Sequence, residues 1–356
     1  MFVRNAWYVA GWSSELNGDG FLARTLLSTP IVLWRKSDGA IVAMEDMCVH
    51  RGAPLSLGRR EGDTVRCMYH GLCFDSTGKC IEVPGQDRVA PNSNVRTFPA
   101  VEQHKWLWVW MGDPSMADAT AIPDTHWLDD QAWRSLEGYK HFKVNYQLLH
   151  DNLLDLSHSP YVHPTTLGGS EDFAAVLPKT EQLSNGVRIS RFVHNTEPPG
   201  YAAAVKPFAG KVDRWQIYEF VVPGVFSLDA GAVPSGTSMK EGERSADGVA
   251  FHSCQAVTPE TADSSHYFFC QAHNFAIDRP DITASIHKNV ELAFEEDRQM
   301  ISAQAARLAL RPDFKMVPIR ADEALGRYRW LVAKLIKQEQ VNPSTATHAP
   351  GTGETR

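Results

Sequence analysis

Two cysteines and two histidines stand in two short, matching segments, and this pattern constrains the fold more than any other feature. The first segment reads C-V-H-R-G from Cys48, and the second reads C-M-Y-H-G from Cys67. Sixteen residues separate His50 from Cys67, and His70 completes the second segment. Cys and His at close, regular spacing indicate a metal site rather than disulfides in a chain of this length. The fold must therefore bring two loops together into one four-ligand site.

Two kinds of metal site accept this ligand set. In a [2Fe–2S] cluster the two thiolates would hold one iron and the two neutral imidazoles the other. Structural zinc also accepts two Cys and two His, but zinc sites more often pair Cys with Cys and His with His. Here each half pairs one Cys with one His, which favours the iron–sulfur cluster over zinc or a chance match. The imidazoles would lie at the surface, where an electron can leave.

The composition restricts the partners and the location of the protein. The 356 residues carry a formal net charge of −7 and no long run of Lys or Arg, which argues against a nucleic-acid partner. The first residues lack the features of a signal peptide, and no apolar segment approaches the roughly 20 residues that a membrane span needs. We therefore expect a cytoplasmic protein without a membrane partner. Two further cysteines, Cys73 and Cys80, are expected to be small buried residues rather than metal ligands.

Short apolar runs with tight turns fill the first third of the chain. Residues 31–34 and 41–44 flank Asp38-Gly39, a strong hairpin signal because Gly accepts the positive φ of the turn. Residues 75–78 form a second turn of this kind, and the Trp-rich run 105–110 has the pattern of a further strand. Several short strands of this sort predict a small β-sandwich or barrel.

The chain is long enough for two domains. We expect an all-β domain over residues 1–115, a Pro- and Asp-rich connector over 116–135, an α+β domain over 136–340 and a disordered tail over 341–356. In the second domain the hydrophobic pattern predicts helices over 146–158 and 282–310 and strands over 187–193 and 215–222. The predicted fold class is therefore α+β.

A second group of candidate ligands lies around the end of the first predicted helix of the second domain. Asn152, Asp155 and His158 recur every three residues, so a helix would present them on one face. Pro160 cannot donate to the helix ladder and is expected to break the helix, so that His163 turns back towards His158. Two converging imidazoles suit Fe(II), and one carboxylate would complete a facial triad of two histidines and one acid.

Asp297 is the candidate for that carboxylate. It is the charged member of an apolar stripe that recurs in steps of three or four along the predicted helix 282–310. The apolar members of the stripe are Ile282, Ile286, Val290, Phe294 and Ile301. An ionised carboxylate on a buried face is costly unless it is paired or binds metal, and an ordinary buried ion pair is the alternative. Three charged neighbours fall off the stripe and are expected to be solvated: Glu295, Glu296 and Arg298.

Residues 48–58, which read C-V-H-R-G-A-P-L-S-L-G, resemble the Rieske loop of ring-hydroxylating oxygenases. Respiratory Rieske proteins carry an extra disulfide between the two loops. Ala53 and Tyr69 stand at the corresponding positions here, which fits the oxygenase branch. Three further segments resemble the vanillate O-demethylase oxygenase group, which includes the dicamba O-demethylase oxygenase and arene-sulfonate monooxygenases; they are residues 5–10, 212–216 and 258–261.

The resemblance implies two iron centres in each chain and a helix-grip-like second domain, in which helices cover an antiparallel sheet. The first domain would hold a [2Fe–2S] cluster on Cys48, His50, Cys67 and His70, and the second would hold Fe(2+) on His158, His163 and Asp297. By the same resemblance, Asp155 is catalytic, because its carboxylate bridges an iron-binding histidine to His70 of a neighbouring subunit in a homotrimer. The resemblance places Asn152 near the iron, and Asn152 is therefore a second candidate catalytic residue beside Asp155.

The resemblance also implies a reaction. Electrons from an NAD(P)H-dependent flavin/iron–sulfur reductase, supplied directly or through a ferredoxin, would be used with O2 to hydroxylate a small aromatic substrate. The expected reaction is oxidative O-demethylation of a methoxylated aromatic acid similar to vanillate, with release of formaldehyde. One alternative is methyl or ring hydroxylation of an arene carboxylate or sulfonate. Two others are a Rieske electron carrier without oxygenase activity and a zinc-stabilised binding module.

Candidate substrate residues lie in two segments that resemble pocket-lining segments of the dicamba enzyme. These candidates are Leu228, Asp229, His252 and Gln255. The family's pocket Asn and His fall near Leu228 and Gln255, so its polar anchors are not preserved, which argues against dicamba itself. His252 is either a replacement anchor or an ordinary hydrogen-bonded residue.

Overall fold

The computed structural model describes residues 1–167, 175–199, 206–237, 245 and 247–341. No helix among these residues combines the length with the apolar composition that a membrane span requires. The predicted disordered tail, residues 341–356, lies outside the described residues apart from Val341, which is the last residue of a helix.

Eleven strands in the first 110 residues form three small antiparallel sheets. They are β1 (Trp7–Trp12), β2 (Leu22–Leu26), β3 (Thr29–Arg35), β4 (Ile41–Glu45), β5 (Arg59–Glu61), β6 (Thr64–Arg66), β7 (Cys73–Asp75), β8 (Cys80–Glu82), β9 (Thr97–Phe98), β10 (Ala100–Gln103) and β11 (Trp106–Trp110). The strand orders are β1-β11-β10, β2-β3-β4-β9 and β5-β6-β7-β8. The prediction of an all-β first part is confirmed.

Both predicted hairpins are present. β3 and β4 pair antiparallel with Arg35 opposite Ile41, and Gly39 in their turn has a φ of 89°. In the turn between β7 and β8, Gly78 has a φ of 83°. A Cβ atom at Gly78 would lie 2.1 Å from the carbonyl oxygen of Val95, so only glycine fits.

Seven strands of the second part form one antiparallel sheet in the described portion of the chain. They are β12 (Gly138–Phe142), β13 (Lys179–Gln182), β14 (Gly186–Thr196), β15 (Val212–Val221), β16 (Val225–Pro234), β17 (Val249–Pro259) and β18 (Ser265–His273). Their order across the sheet is β12-β18-β17-β16-β15-β14-β13. The two strands predicted near residues 187–193 and 215–222 are confirmed as β14 and β15.

The Trp-rich run joins the two parts of the molecule. It forms β11, the middle strand of the first sheet, and both Trp106 and Trp108 are fully buried. Its tryptophans belong to a core cluster that includes Phe268 and Cys270 of β18. The hydroxyl of Thr258 on β17 also donates to a main-chain carbonyl of β1 at 2.7 Å. One face of the large sheet is therefore covered by the N-terminal strands.

In the described part of the chain, the helices lie on the other side of the large sheet. They are α1 (Tyr146–Leu154), α2 (Ser159–Val162), α3 (Pro280–Leu310) and α4 (Glu323–Val341). The long predicted helix is confirmed as α3, which begins with a proline at a position where a missing N–H costs no hydrogen bond. The ring of Phe294 packs against Tyr267 and Phe269 of β18, with centroids 5.2 and 4.8 Å apart. The predicted stripe is buried at Ile286, Val290, Phe294, Asp297 and Ile301, while Ile282 is half-buried.

The first predicted helix of this part is shorter than expected. α1 ends at Leu154, and Asp155 has extended backbone angles, with φ −130° and ψ 98°. The Asp155 carboxylate accepts a hydrogen bond from the N–H of Ser157 and so caps a new 3-10 turn. Pro160 does not break a helix, because it lies in the first turn of α2. The prediction that Asn152, Asp155 and His158 share one helical face is therefore wrong.

Candidate active site

Three side chains from separate parts of the chain converge at one point. His158 ends the 3-10 turn, His163 follows α2, and Asp297 lies on the buried face of α3. Oδ1 of Asp297 lies 3.5 Å from Nε2 of His158 and 3.2 Å from Nε2 of His163. The three ligand atoms all lie within 4.8 Å of one another. This arrangement fits one metal ion with positions left open for further ligands.

The other ring nitrogen of each histidine already has a partner. Nδ1 of His158 lies 2.6 Å from the main-chain carbonyl oxygen of Asp155, and Nδ1 of His163 lies 2.8 Å from Oε2 of Glu296. Because these groups are acceptors, each Nδ1 carries the proton and donates it. In their neutral form, both histidines therefore present the lone pair of Nε2 towards Asp297, as a divalent metal requires.

Glu296 is a residue of the site that sequence reasoning missed, because it was expected to be solvated. It is half-buried, and its Oε2 also accepts a hydrogen bond from Oγ1 of Thr166 at 2.7 Å. Its partner His163 is 133 residues away in the chain, so no local pattern signals the contact. The neighbours Glu295 and Arg298 form a partly exposed ion pair with each other.

Asn152 and Asp155 both reach the site, in different ways. Nδ2 of Asn152 donates to Oδ1 of Asp297 at 2.9 Å and so orients the carboxylate. Asp155 was expected to contact an iron-binding histidine through its carboxylate. Instead its main-chain carbonyl accepts from His158, and its carboxylate accepts from the N–H of Ser157 at 2.8 Å. The expected carboxylate bridge to His158 is therefore replaced by a main-chain link.

The electrostatics of the site favour a cation. Burial lowers the pKa of His158, and the nearby Asp297 carboxylate offsets only part of that effect. Burial also lowers the pKa of His163, but its interactions with Asp297 and Glu296 outweigh burial, so the pKa of His163 is raised. Burial raises the pKa of Tyr267 well above its usual range, and Asp297 adds to that rise. When iron binds, both imidazoles must be neutral, and the two nearby carboxylates then leave negative charge that the metal ion neutralises.

A pocket opens from these ligands between α1, α3 and the large sheet. Its apolar walls include Leu153, Leu156, Phe226, Leu228, Val290 and Phe294. The polar residues of its sheet and α3 walls are Gln216, Ser253, Gln255, Gln271, Ser285 and Asn289. No Lys or Arg is among the described residues that line it. A pocket of this kind accepts an apolar ring with a few hydrogen-bonding groups.

Two of the four candidate substrate residues line this pocket, namely Leu228 and Gln255. Asp229 and His252 face the other side of the sheet, because side chains alternate along a strand. The Asp229 carboxylate accepts from the indole N–H of Trp215 at 2.9 Å, and the ring of His252 stacks on Trp127 at 4.0 Å. The expectation that Asp229 and His252 contact substrate is corrected accordingly.

The two Cys/His loops in the N-terminal part share one backbone design. In the first loop the N–H of Cys48 donates to the carbonyl five residues later, and the N–H of Gly52 donates back to Cys48, both at 2.8 Å. The second loop repeats these bonds from Cys67 and Gly71, at 2.8 and 2.9 Å. The two glycines have φ values of 69° and 79°, which glycine adopts without strain. The repeated segments in the sequence therefore fold as repeated loops.

The cysteine and histidine side chains of these loops differ in their exposure to solvent. Cys48 and Cys67 are buried, whereas His50 and His70 are exposed, with ring centroids 4.4 Å apart. Burial raises the pKa of the Cys48 thiol to about 11, and the neighbouring Cys67 thiol also raises it. Two thiolates here need positive charge, which iron supplies. An inner sulfur pair and an outer nitrogen pair match the two irons of a Rieske cluster.

Comparison with known proteins agrees with both sites. Residues 6–99 match the Rieske [2Fe-2S] domain, and residues 142–338 match the C-terminal domain of vanillate O-demethylase oxygenase. The iron–sulfur subunit of the toluene-4-sulfonate monooxygenase system of Comamonas testosteroni is 45% identical over 95% of this chain and 98% of its own length. The oxygenase component of dicamba O-demethylase from Stenotrophomonas maltophilia is 34% identical over 95% of this chain and 99% of its own.

A crystal structure of dicamba monooxygenase with non-haem iron and dicamba superposes on this fold. Its TM-score is 0.81 at 32% identity, and the match covers 96% of this chain and 99% of that one. The second family match spans more than half of the chain, so the separate readings as a zinc module or a bare electron carrier no longer hold. The chain belongs to the Rieske non-haem iron oxygenases of the vanillate O-demethylase type, as a terminal oxygenase component that uses a [2Fe–2S] cluster and Fe(2+).

Proposed function

We propose that this oxygenase inserts one oxygen atom into a C–H bond of a methyl or methoxy carbon on an aromatic ring. The observation that carries the proposal is the largely apolar pocket that opens directly beside His158, His163 and Asp297. An aromatic ring would lie between Leu228 of the sheet and Val290 of α3. The carbon to be oxidised would then face the three ligands.

Two substrate classes share this first step. The 45% identity to the toluene-4-sulfonate monooxygenase subunit supports the methyl group of an arene sulfonate as the first candidate. The 34% identity to the dicamba O-demethylase oxygenase supports O-demethylation of a methoxylated aromatic acid as the second, which is also the reaction predicted from the sequence. A hydroxylated methyl group remains as an alcohol, whereas a hydroxylated methoxy group breaks down to a phenol and formaldehyde.

Each residue of the site has a proposed task in this reaction. Iron held by His158, His163 and Asp297 would supply the activation of O2, with two electrons and two protons consumed as one oxygen enters the substrate and the other leaves as water. Asn152 keeps the Asp297 carboxylate oriented, and Glu296 keeps the imidazole of His163 oriented. The apolar walls hold the ring in place and keep water from the reacting carbon.

The electrons would reach the site through the [2Fe–2S] cluster on the two Cys/His loops. The exposed rings of His50 and His70 suit exchange of electrons with a partner reductase or ferredoxin. We propose that the reductase is an NAD(P)H-dependent flavin/iron–sulfur protein of the cytoplasm. In a homotrimer, the half-exposed Asp155 carboxylate would face His70 of a neighbouring subunit. The domain limits 1–115, 116–135 and 136–340 belong to the same proposal, supported by the two family matches.

A substrate panel tests the proposed function. The purified oxygenase, a reductase and NADH are supplied with toluene-4-sulfonate, 4-methoxybenzoate, vanillate and benzoate, and products and formaldehyde are measured. We expect the alcohol from toluene-4-sulfonate, or formaldehyde in equal amount to the phenol from the methoxylated acids. Ring-hydroxylated benzoate as the main product, with no oxidation of any methyl or methoxy carbon, would contradict the proposal.

A further inference from the structure

One end of the pocket carries a group of side-chain amides that no role above uses. Gln216 on β15, Gln271 on β18 and Asn289 on α3 all line the pocket. Each is only partly buried, in keeping with a side chain that borders open space. Three elements that are separate in the chain thus bring the same chemical group to one cavity.

This end of the pocket lies away from the iron ligands. α3 runs antiparallel to β18, because Phe294 packs on Tyr267 while Thr283 bonds to His273 at 2.9 Å. Tyr267 marks the level near the ligands, because it packs on Phe294, three residues before Asp297 on α3. Gln271 lies four residues further along β18, about 14 Å along the strand. Asn289 precedes the ligand on α3 by eight residues, about 12 Å along the helix. Both amides therefore occupy the same level, one ring length or more from the ligands.

Gln216 lies at this far level too. It pairs with Ala230 of β16, and Ala230 pairs with Phe251 of β17. Phe251 in turn pairs with His273 of β18, so Gln216 belongs to the row of the sheet that ends at His273. Residues of one row point to the same face. The third amide therefore lies just beyond the level of Gln271.

These three amides differ from Gln255, the remaining amide of the sheet wall. Gln255 donates to the hydroxyl of Ser253 at 2.8 Å and accepts from the hydroxyl of Tyr267, so its amide is committed. The amides of Gln216, Gln271 and Asn289 make no hydrogen bond to another side chain or carbonyl in the described part of the chain. Amide donors that face a largely apolar cavity need a partner from water or from a ligand.

We propose that Gln216, Gln271 and Asn289 bind a hydrogen-bond acceptor group of the substrate. The part of the pocket that these three residues line is called the acceptor-binding end. They hold a sulfonate, a carboxylate or a comparable oxygen-rich group of the aromatic substrate by neutral N–H donors. The ring then spans the apolar middle, and the methyl or methoxy carbon lies opposite the acceptor group, next to His158 and His163. This inference deepens the proposed function and rests on it for the carbon that is oxidised, while the acceptor-binding end can be tested by binding alone.

Two near-isosteric variants test the proposal by removing the donors. Gln271→Met and Asn289→Leu keep side-chain size but lack an N–H donor, and Gln304→Met changes an exposed Gln on α3 as the matched control. Binding to the iron-loaded, oxygen-free enzyme is measured by calorimetry for toluene-4-sulfonate and 4-methoxybenzoate. p-Xylene and 4-methylanisole, which lack the acceptor group, serve as the paired probes. kcat/KM is measured for the same compounds with the reductase present.

We expect each donor variant to weaken binding of the acceptor-bearing probes about tenfold or more and to change binding of the other two less than about twofold. Gln304→Met should behave as wild type. Equal losses for both kinds of probe, unchanged binding of the acceptor-bearing probes, or wild-type enzyme that binds neither acid would overturn the inference. If the amides control binding of the acids but no methyl or methoxy carbon is oxidised, the proposed function fails and the acceptor-binding end stands.

Discussion

At the scale of single residues, the candidate iron site depends on the groups that hold its histidines. His163 donates its Nδ1 proton to Glu296, which is itself held by Thr166. A fixed ring keeps Nε2 aimed at Asp297, and an acceptor of this kind supports metal affinity. His158 obtains the same support from a main-chain carbonyl, which no side-chain substitution removes. Of the two supports, only that of His163 is open to a side-chain substitution.

Replacing Glu296 should weaken iron binding while leaving the fold intact. In Glu296→Ala, His163 loses its acceptor, and we expect iron affinity at the mononuclear site to fall about 10- to 100-fold. Glu296→Gln retains an acceptor oxygen and should lose less. Glu295→Gln, one residue earlier on α3, is the matched control. The affinity is measured by titrating iron into protein whose mononuclear site has been emptied and determining the bound iron. An unchanged spectrum of the cluster shows that the first site is intact. Wild-type iron affinity in Glu296→Ala would contradict this role.

Some residues of the site could be predicted from the sequence and others could not. The cluster candidates are signalled by local spacing, and Asp297 is signalled as a charge on an apolar stripe. Glu296 carries no such signal, since its role depends on packing α3 against the loop after α2. Alternation along a strand separates Leu228 from Asp229, but the sequence does not say which of the two faces the pocket.

At the scale of elements, α1 shows how a capping residue ends a helix that hydrophobic pattern would extend. The predicted helix 146–158 stops at Leu154 because Asp155 bonds to the N–H of Ser157 instead of continuing the ladder. Asp favours a cap over a helix interior, because its short carboxylate bonds to nearby main-chain N–H groups. The break turns the His158 ring towards His163, with centroids 5.3 Å apart. A continuous helix would not produce this convergence.

α1 also contains a buried histidine outside the metal site. His150 packs among the rings of Tyr146, Phe220 and Tyr328, with centroids 5.0, 5.0 and 5.6 Å away. Burial lowers its pKa to about 3. The unfolded chain binds a proton at this residue below about pH 6.5, whereas the folded chain does not. The free energy of unfolding therefore falls as the pH falls from about 6.5 towards 3.

The pH dependence of stability should change when His150 is replaced. Between pH 6 and pH 5 this residue lowers the free energy of unfolding of the wild type by about 1 kcal/mol. In His150→Leu the free energy of unfolding should fall by about 1 kcal/mol less between these two pH values, whatever the stability of the variant at pH 7. His194→Leu, at an exposed position on β14, should retain the wild-type difference. Denaturant unfolding at the two pH values measures it, and an equal loss in His150→Leu and wild type would refute the assignment.

At the scale of the whole molecule, the two parts of the chain share one hydrophobic core. A single cluster runs from Val3 through the N-terminal sheets to Phe294 of α3 and Val332 of α4. The order of an all-β part followed by an α+β part was predictable, because hairpin turns, strand lengths and the long helix all leave local signals. The way the N-terminal strands cover the back of the large sheet was not, since it depends on contacts between residues far apart in sequence, such as Thr258 and β1.

The most direct test of a two-site oxygenase is the iron content of an Asp297 variant. Wild-type protein should contain about three irons per chain, two in the cluster and one at the second site. Asp297→Ala should retain about two, keep the visible spectrum of the Rieske cluster and lose all turnover, because the proposed carboxylate ligand of the second iron has been removed. Asp281→Ala, an exposed residue of the same helix, should match the wild type. An Asp297→Ala protein that keeps three irons or still oxidises substrate would contradict the assignment.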